Sequence, residues 1–183
     1  MMDRPKDYLV LSDTHGKEKL LYRVASVMRT RPQAILFLGD GLRDLDVLSD
    51  IPFLRDVPVW AVSGNCDSIF SIRATEPTTR LVHLENHKIF MTHGHLYDVR
   101  GGISAALQNA IAADADVLLY GHTHVATEYT YTHHYTDAAG IEREKHILIA
   151  NPGSLGEPRD GGAHRFGVLT LSGENALFGH GSV

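Results

Sequence analysis

A chain of 183 residues can bury one sizeable core but is too short for two, so residues 1–183 are read as a single domain. Its hydrophobic fraction of 43% and charged fraction of 21% are ordinary for a soluble globular protein. A formal charge of -5 and a pI near 6.1 exclude a protein that holds nucleic acid chiefly by neutralising phosphates.

One cysteine, Cys66, leaves no intrachain disulfide and is consistent with a reducing compartment. The segment Met1 to Asp7 has no apolar signal-like stretch, and no run approaches the ~18 apolar residues of a membrane span. The expectation is a cytoplasmic protein with no membrane partner.

In chain order, Tyr8 to Ser12 forms a first apolar run that ends at Asp13-Thr14-His15. Leu20, Leu21, Val24, Val27 and Met28 then recur at helical spacing, and Pro32 marks the exit. Ile35 to Gly39 is a second run, ending at Asp40. A helical stretch from Leu42 to Asp50 is anchored by Leu45 and Leu48 and stopped by Pro52. Val57 to Gly64 is a third run, ending at Asn65-Cys66-Asp67. This alternation predicts a βαβ opening with a parallel sheet. The polar segment Ile69 to Arg80, with Pro77, reads as a loop.

Lys88 to Thr92 runs into His93-Gly94-His95, and Ile103, Ala106, Leu107, Ala110 and Ile111 predict a third helix. Val117 to Gly121 runs into His122-Thr123-His124. Thr127 to Tyr135 is rich in Thr and Tyr, as an exposed antiparallel strand is. Asp137 to Gly140 supplies a turn, and Ile141 to Ala150 returns into Asn151-Pro152-Gly153-Ser154. Phe166 to Ser172, closed by Gly173, reads as the last strand. The fading helical alternation predicts a second, mixed or antiparallel sheet facing the first, with helices outside.

Six apolar runs therefore end at residues able to bind a metal. Ligands of open α/β sheets gather at the carboxyl ends of strands. Twelve histidines are an unusual number for this length, and five of them, His15, His93, His95, His122 and His124, stand at these ends. The remaining seven read as surface or core residues. Asp13 and His15 are two apart, which in extended chain turns both to one face, and His122 and His124 repeat the spacing. Asp40 sits between Gly39 and Gly41, and Asn65 follows Gly64. Carboxylates, imidazoles and an amide suit Mn²⁺, Fe²⁺, Zn²⁺ or Ni²⁺ rather than a thiolate-bound structural zinc. The set exceeds what one tetrahedral ion needs and suits two ions sharing a carboxylate, a device for in-line phosphoryl displacement.

The ordered set Asp13-x-His15, Gly39-Asp40, Gly64-Asn65-x-Asp67, His93-Gly94-His95 and Gly121-His122-x-His124 resembles the calcineurin-like metallophosphoesterase superfamily. Gly64-Asn65-Cys66-Asp67 and Asn151-Pro152-Gly153-Ser154 look like its small bacterial and archaeal phosphodiesterase branch. The resemblance spans Asp13 to about Arg159 and implies an α/β/β/α sandwich, two facing mixed β-sheets flanked by helices. It implies that Asp13, His15 and His124 hold one divalent ion, Asn65, His93 and His122 a second, and Asp40 bridges, with Mn²⁺ the first expectation. The implied activity is phosphodiester hydrolysis by a hydroxide that the two ions share. His95 and Asp67 are the candidates for catalytic assistance, His95 near a ligand or the phosphate and Asp67 as hydrogen-bond support. Asn151 to Ser154 read as a turn packed beneath the site.

One departure matters. Many members carry histidine directly after the motif asparagine, and here that residue is Cys66. A thiol with an ordinary pKa of ~8.5 is a weak hydrogen-bond donor, so Cys66 reads as a packed side chain and the general acid is left open. The acidic chain predicts a small phosphodiester substrate, no strong nucleic-acid binding, and leaves room for a homo-oligomer. The rival reading is a protein-binding scaffold like the retromer subunit of this fold, whose metal site has degraded; the full donor set here speaks against it.

Overall fold

The apolar runs become strands whose alternate side chains serve two different cores. The computed structural model describes residues 4–67, 75–159 and 161–183. The chain opens with β1 (Lys6–Leu11), helix α1 (Lys19–Val27), β2 (Ile35–Phe37), a 3₁₀ segment (Leu42–Asp50) and β3 (Val59–Ala61). Leu9 lies beside Ile35 and Ile35 beside Val59, so β1, β2 and β3 are parallel, as the alternation predicts. β4 (Thr79–Leu84), β5 (His87–Thr92), a 3₁₀ turn (His95–Tyr97), helix α2 (Ser104–Ala112) and β6 (Val117–Tyr120) follow. β7 (Ala126–Thr136), β8 (Glu142–Pro152), β9 (Arg165–Ser172) and β10 (Asn175–Ser182) complete it.

The strands form two mixed five-stranded sheets, β10-β9-β1-β2-β3 and β4-β5-β6-β8-β7. Tyr8, Val10, Leu36 and Leu38 of the first sheet meet Ile89, Met91, Val117 and Leu119 of the second in a core between them. The alternate residues Leu9, Leu11, Ile35 and Phe37 point outward onto Leu20, Leu21 and Val24 of α1. Phe90, Leu118 and Tyr120 point outward onto Ala106, Leu107 and Ala110 of α2. Burial on both faces is why these strands read as unbroken apolar runs. The four-layer α/β/β/α arrangement is the expected one. Neither nine-residue α-helix is long enough to cross a membrane, and no described helix qualifies.

Three details depart from the sequence reading. Leu42–Asp50 is 3₁₀, not α. Its buried Leu42, Leu45 and Leu48 recur every three residues, the period of a 3₁₀ turn. The segment read as a loop ends in β4, which starts at Thr79, and residues 69–74 of that segment lie outside the described residues. Phe166 to Ser172 is not the last strand, because β10 pairs antiparallel to β9 at the edge of the first sheet. Both missed strands lie at sheet edges, and each has a single buried apolar side chain, Val82 and Phe178.

Candidate metal centre

The carboxyl ends of β1, β2, β3, β5 and β6 meet at one rim, and tight turns aim their polar residues inward. Five of the nine non-glycine residues with positive φ among those described are Asp13, His15, Asp40, His122 and His124. Such conformations are uncommon for residues with a Cβ and persist only where the surroundings hold them. Glycines supply the clearance. A Cβ at Gly39 would lie 2.6 Å from the Gly64 nitrogen, and one at Gly64 would lie 2.1 Å from Asp40 Oδ1. The tips of β2 and β3 therefore touch backbone to backbone, which is what lets Asp40 and Asn65 share a site.

Two groups of donors converge there. In the first, Asp13 Oδ1 lies 3.2 Å from His124 Nε2 and 3.8 Å from His15 Nε2, and the two imidazole nitrogens are 3.3 Å apart. In the second, His93 Nε2 lies 3.3 Å from Asp40 Oδ2, 3.2 Å from Asn65 Oδ1 and 3.2 Å from His122 Nδ1. Asp40 Oδ2 is also 3.9 Å from His15 Nε2, so this carboxylate stands between the groups. The sequence-predicted Asp13, His15, Asp40, Asn65, His93, His122 and His124 are thus brought together, all seven.

The tautomers are held for this purpose. His93 Nδ1–H donates to the Leu38 carbonyl at 2.7 Å, and His124 Nδ1–H to the Glu157 carbonyl at 2.6 Å. Each leaves its Nε2 lone pair facing the other donors, the orientation a metal-binding histidine needs. Asp13 Oδ1 is buried with no hydrogen-bond partner. An orphaned carboxylate oxygen facing imidazole lone pairs is a costly arrangement without a cation, so the donor set fits divalent metal.

Charge shifts agree. Burial alone would raise the Asp40 carboxyl, but the neighbouring His93 and the Cys66 N–H hold it well below the usual range. Cys66 N–H donates to Asp40 Oδ1 at 2.7 Å. Burial opposes protonation of His93, yet Asp40 and Asp13 raise its pKa; the Asp13 carboxylate beside it raises that of His124. Burial, with His93 and Arg100, lowers His122 to about 4. Cys66, read from sequence as a packed side chain, is exposed at the rim instead; partial desolvation and then Asp40 push its thiol up to about 11, so it keeps its proton and is a poor nucleophile.

Asp67 and His95 differ in place. Asp67 accepts four backbone N–H groups, from Asp40, Gly41, Leu42 and Gly64, at 2.7–2.8 Å. It is a positioning residue that locks the Asp40 and Asn65 turns together, and its oxygens have no capacity left for the reacting atoms. His95 lies with its ring 5.4 Å from that of His93 and 6.2 Å from that of His122, its Nδ1 buried and unpartnered. Asn151 donates to the Gly121 carbonyl at 3.0 Å and to Thr123 Oγ1 at 3.1 Å, and Ser154 Oγ donates to the Asp13 carbonyl at 2.8 Å. The turn packs beneath the site, bracing two of its loops. Sequence reasoning missed Asp44, which is buried and accepts from Thr14 Oγ1 and from the Gly16 N–H. A charged residue at a buried helical position was the available signal.

The family model for the calcineurin-like phosphoesterase superfamily domain matches residues 7–174. The chain belongs to this superfamily. It is 34% identical to the phosphodiesterase YfcE of Escherichia coli K12 over 175 residues, covering 86% of this chain and 84% of that protein. It is 28% identical to the probable metallophosphoesterase YsnB of Bacillus subtilis over 168 residues, covering 92% and 86%. A Vps29 of Entamoeba histolytica solved with Zn²⁺ superposes with a TM-score of 0.63 at 20% identity over 96% and 98% of the chains, which speaks to fold alone. Family and donor cluster together make the chain a metal-dependent phosphoesterase.

Proposed function

We propose that the chain is a dinuclear phosphodiesterase acting on small, exposed phosphodiesters, with Mn²⁺ as the preferred ion. The observation that carries this reading is the pair of donor groups sharing Asp40, with the buried Asp13 Oδ1 left without a partner. Asp13, His15, His124 and Asp40 would hold one ion, and Asn65, His93, His122 and Asp40 the other. When bound, two such ions supply charge neutralisation at phosphorus and a lowered pKa for an attacking water.

The chain's own residues do the positioning. The Leu38 and Glu157 carbonyls keep His93 and His124 in the tautomer that presents Nε2, and the Cys66 N–H keeps Asp40 turned between the groups. No imidazole follows Asn65, so no proton donor stands there for a poor leaving group. His95 does not replace it readily, because burial and the neighbouring His93 lower its pKa, so it holds a proton less readily than an ordinary histidine. Substrates whose leaving oxygen is stable as an anion suit this site. The acidic chain favours small diesters over long nucleic acid, and of the cations near the site Arg100 and Lys17 are tied to the His122 and Gly156 carbonyls. A scaffolding role alone leaves the complete donor set unexplained.

The test is metal analysis of protein purified without chelator, followed by a chromogenic aryl phosphodiester assay with each metal added back. Chelation should abolish turnover, and Mn²⁺ should restore it best among common divalent ions. Turnover that persists in metal-free protein refutes the proposal.

A further inference from the structure

The hairpin β7–β8 is built unlike the rest of the second sheet. β6 flanks β8 only from Leu148 to Ala150, where Leu148 pairs with Thr130 of β7. Beyond that point the pairs Tyr131–Ile147 to Thr136–Glu142 form a two-stranded arm. On the β8 side Lys145 ties the arm to Asp114 and Asp116. On the β7 side no described strand pairs with it. A two-stranded ribbon is marginal in water unless a third strand or a packed face supports it.

The open edge also lacks the usual protection. Exposed edges are blunted by shortness, Pro, Lys or bulges. β3 is three residues long, β4 carries Arg80, and β10 contains Gly179 and Gly181. β7 runs eleven residues with no Lys, Arg, Pro or Gly, and Glu128 is its only acidic residue. One face of it presents Tyr129, Tyr131, His133 and Tyr135, with the three tyrosines 38–44% exposed and His133 stacked on Tyr135.

We infer that β7 is the interface of a two-fold dimer, in which two copies of the strand pair antiparallel about Tyr131 and join the second sheets into one ten-stranded sheet. The occupant is a second copy because the strand is self-complementary in one register. A two-fold antiparallel pair must be centred on a residue, since hydrogen-bonded and open pairs alternate along it. Centring on Tyr131 sets Glu128 opposite His134 of the partner subunit, twice by symmetry. It also sets Tyr129 opposite His133 of the partner subunit, and the two Tyr131 rings side by side. Centring on Thr130 or Thr132 sets Glu128 against threonine and loses this pairing. In the chosen register each arm, Thr132 to Thr136, lies along the anchored half of the other β7, Ala126 to Thr130, so each copy gives the other's ribbon its third strand. The partner's turn then reaches the rim beside the exposed Val125, next to His124.

Sedimentation of the full chain from micromolar to millimolar concentration tests this. The expected species is a dimer of twice the 20.2 kDa chain mass. Tyr131→Lys, which sets two ammonium groups face to face at an exposed position, should give a folded monomer by circular dichroism and sedimentation. The register is tested in a Cys66→Ser background with oxidised glutathione. Tyr131→Cys should form a covalent dimer, because directly opposite Cα atoms lie about 4.5–5.5 Å apart, within disulfide reach. Tyr129→Cys should not, its two copies being displaced by four residues, about 13 Å along the strand. A wild-type monomer throughout the range, or a dimer that survives Tyr131→Lys, overturns the interface. Cross-linking by Tyr129→Cys in preference to Tyr131→Cys overturns the register.

Discussion

Asp67→Asn isolates what a single supporting carboxylate contributes. Asp67 Oδ1 accepts from Gly41 and Leu42, and Oδ2 accepts from Asp40 and Gly64. An asparagine keeps one acceptor oxygen and turns an NH₂ group toward two N–H donors that then have no partner. Hydrogen bonds to a charged group contribute about 1.5–3 kcal/mol each, so two lost bonds amount to about 3–6 kcal/mol. The lower figure applies, because Asp67 is only partly buried and water can reach it. At about 2–4 °C per kcal/mol for a domain of this size, 3 kcal/mol lowers Tm by roughly 6–12 °C. The consequence for function follows from position. Releasing the Asp40 and Asn65 turns from each other lets the two donor groups drift apart, so metal affinity should fall together with Tm. Differential scanning calorimetry of metal-free protein reads the first effect, and metal titration by calorimetry reads the second. An Asp67→Asn protein with native Tm and native metal affinity would refute the argument that this carboxylate locks the site.

Three further outcomes follow from the geometry. Asp40→Asn removes the charge between the donor groups and should abolish most diester turnover while circular dichroism stays native; near-native turnover with two metals bound would show that Asp40 does not bridge. The raised pKa values of His93 and His124 mean that protons compete for these rings sooner than for an ordinary histidine as pH falls. Metal affinity should therefore begin to decline at a higher pH than ordinary histidines would give, approaching about tenfold per pH unit for each proton displaced once the pH lies below the rings' pKa, whereas His122, at about 4, adds nothing to this decline; affinity that stays constant from pH 8 down to about 5 would contradict it. Cys66→His should raise turnover of alkyl diesters relative to aryl diesters, up to the ~10²–10⁴ that general acid help provides; an unchanged ratio would show that protonation of the leaving group is not limiting.

The strand ends that carry the seven candidate donors were legible because strands buried on both faces leave a continuous apolar signal, and the family resemblance singled out those seven among the polar residues there. The runs around Val10, Leu36 and Leu119 are of this kind, so the carboxyl ends that carry Asp13, Asp40 and His122 were legible. β4 and β10 were not, because an edge strand with one ladder and one buried apolar side chain looks like the loop beside it. Sequence also indicates that Asp67 and Asn151 support the site without saying what they hold, since their partners are backbone groups that any residue could supply. Only the tertiary structure decided that Leu38 and Glu157 lend their carbonyls to His93 and His124, and that Asp44 fastens the loop after β1. It also decided the left-handed turns at Asp13, His15, Asp40, His122 and His124. Those turns are adopted against local preference, because the two sheets, packed face to face, leave the chain no other way to bring five strand ends to one point.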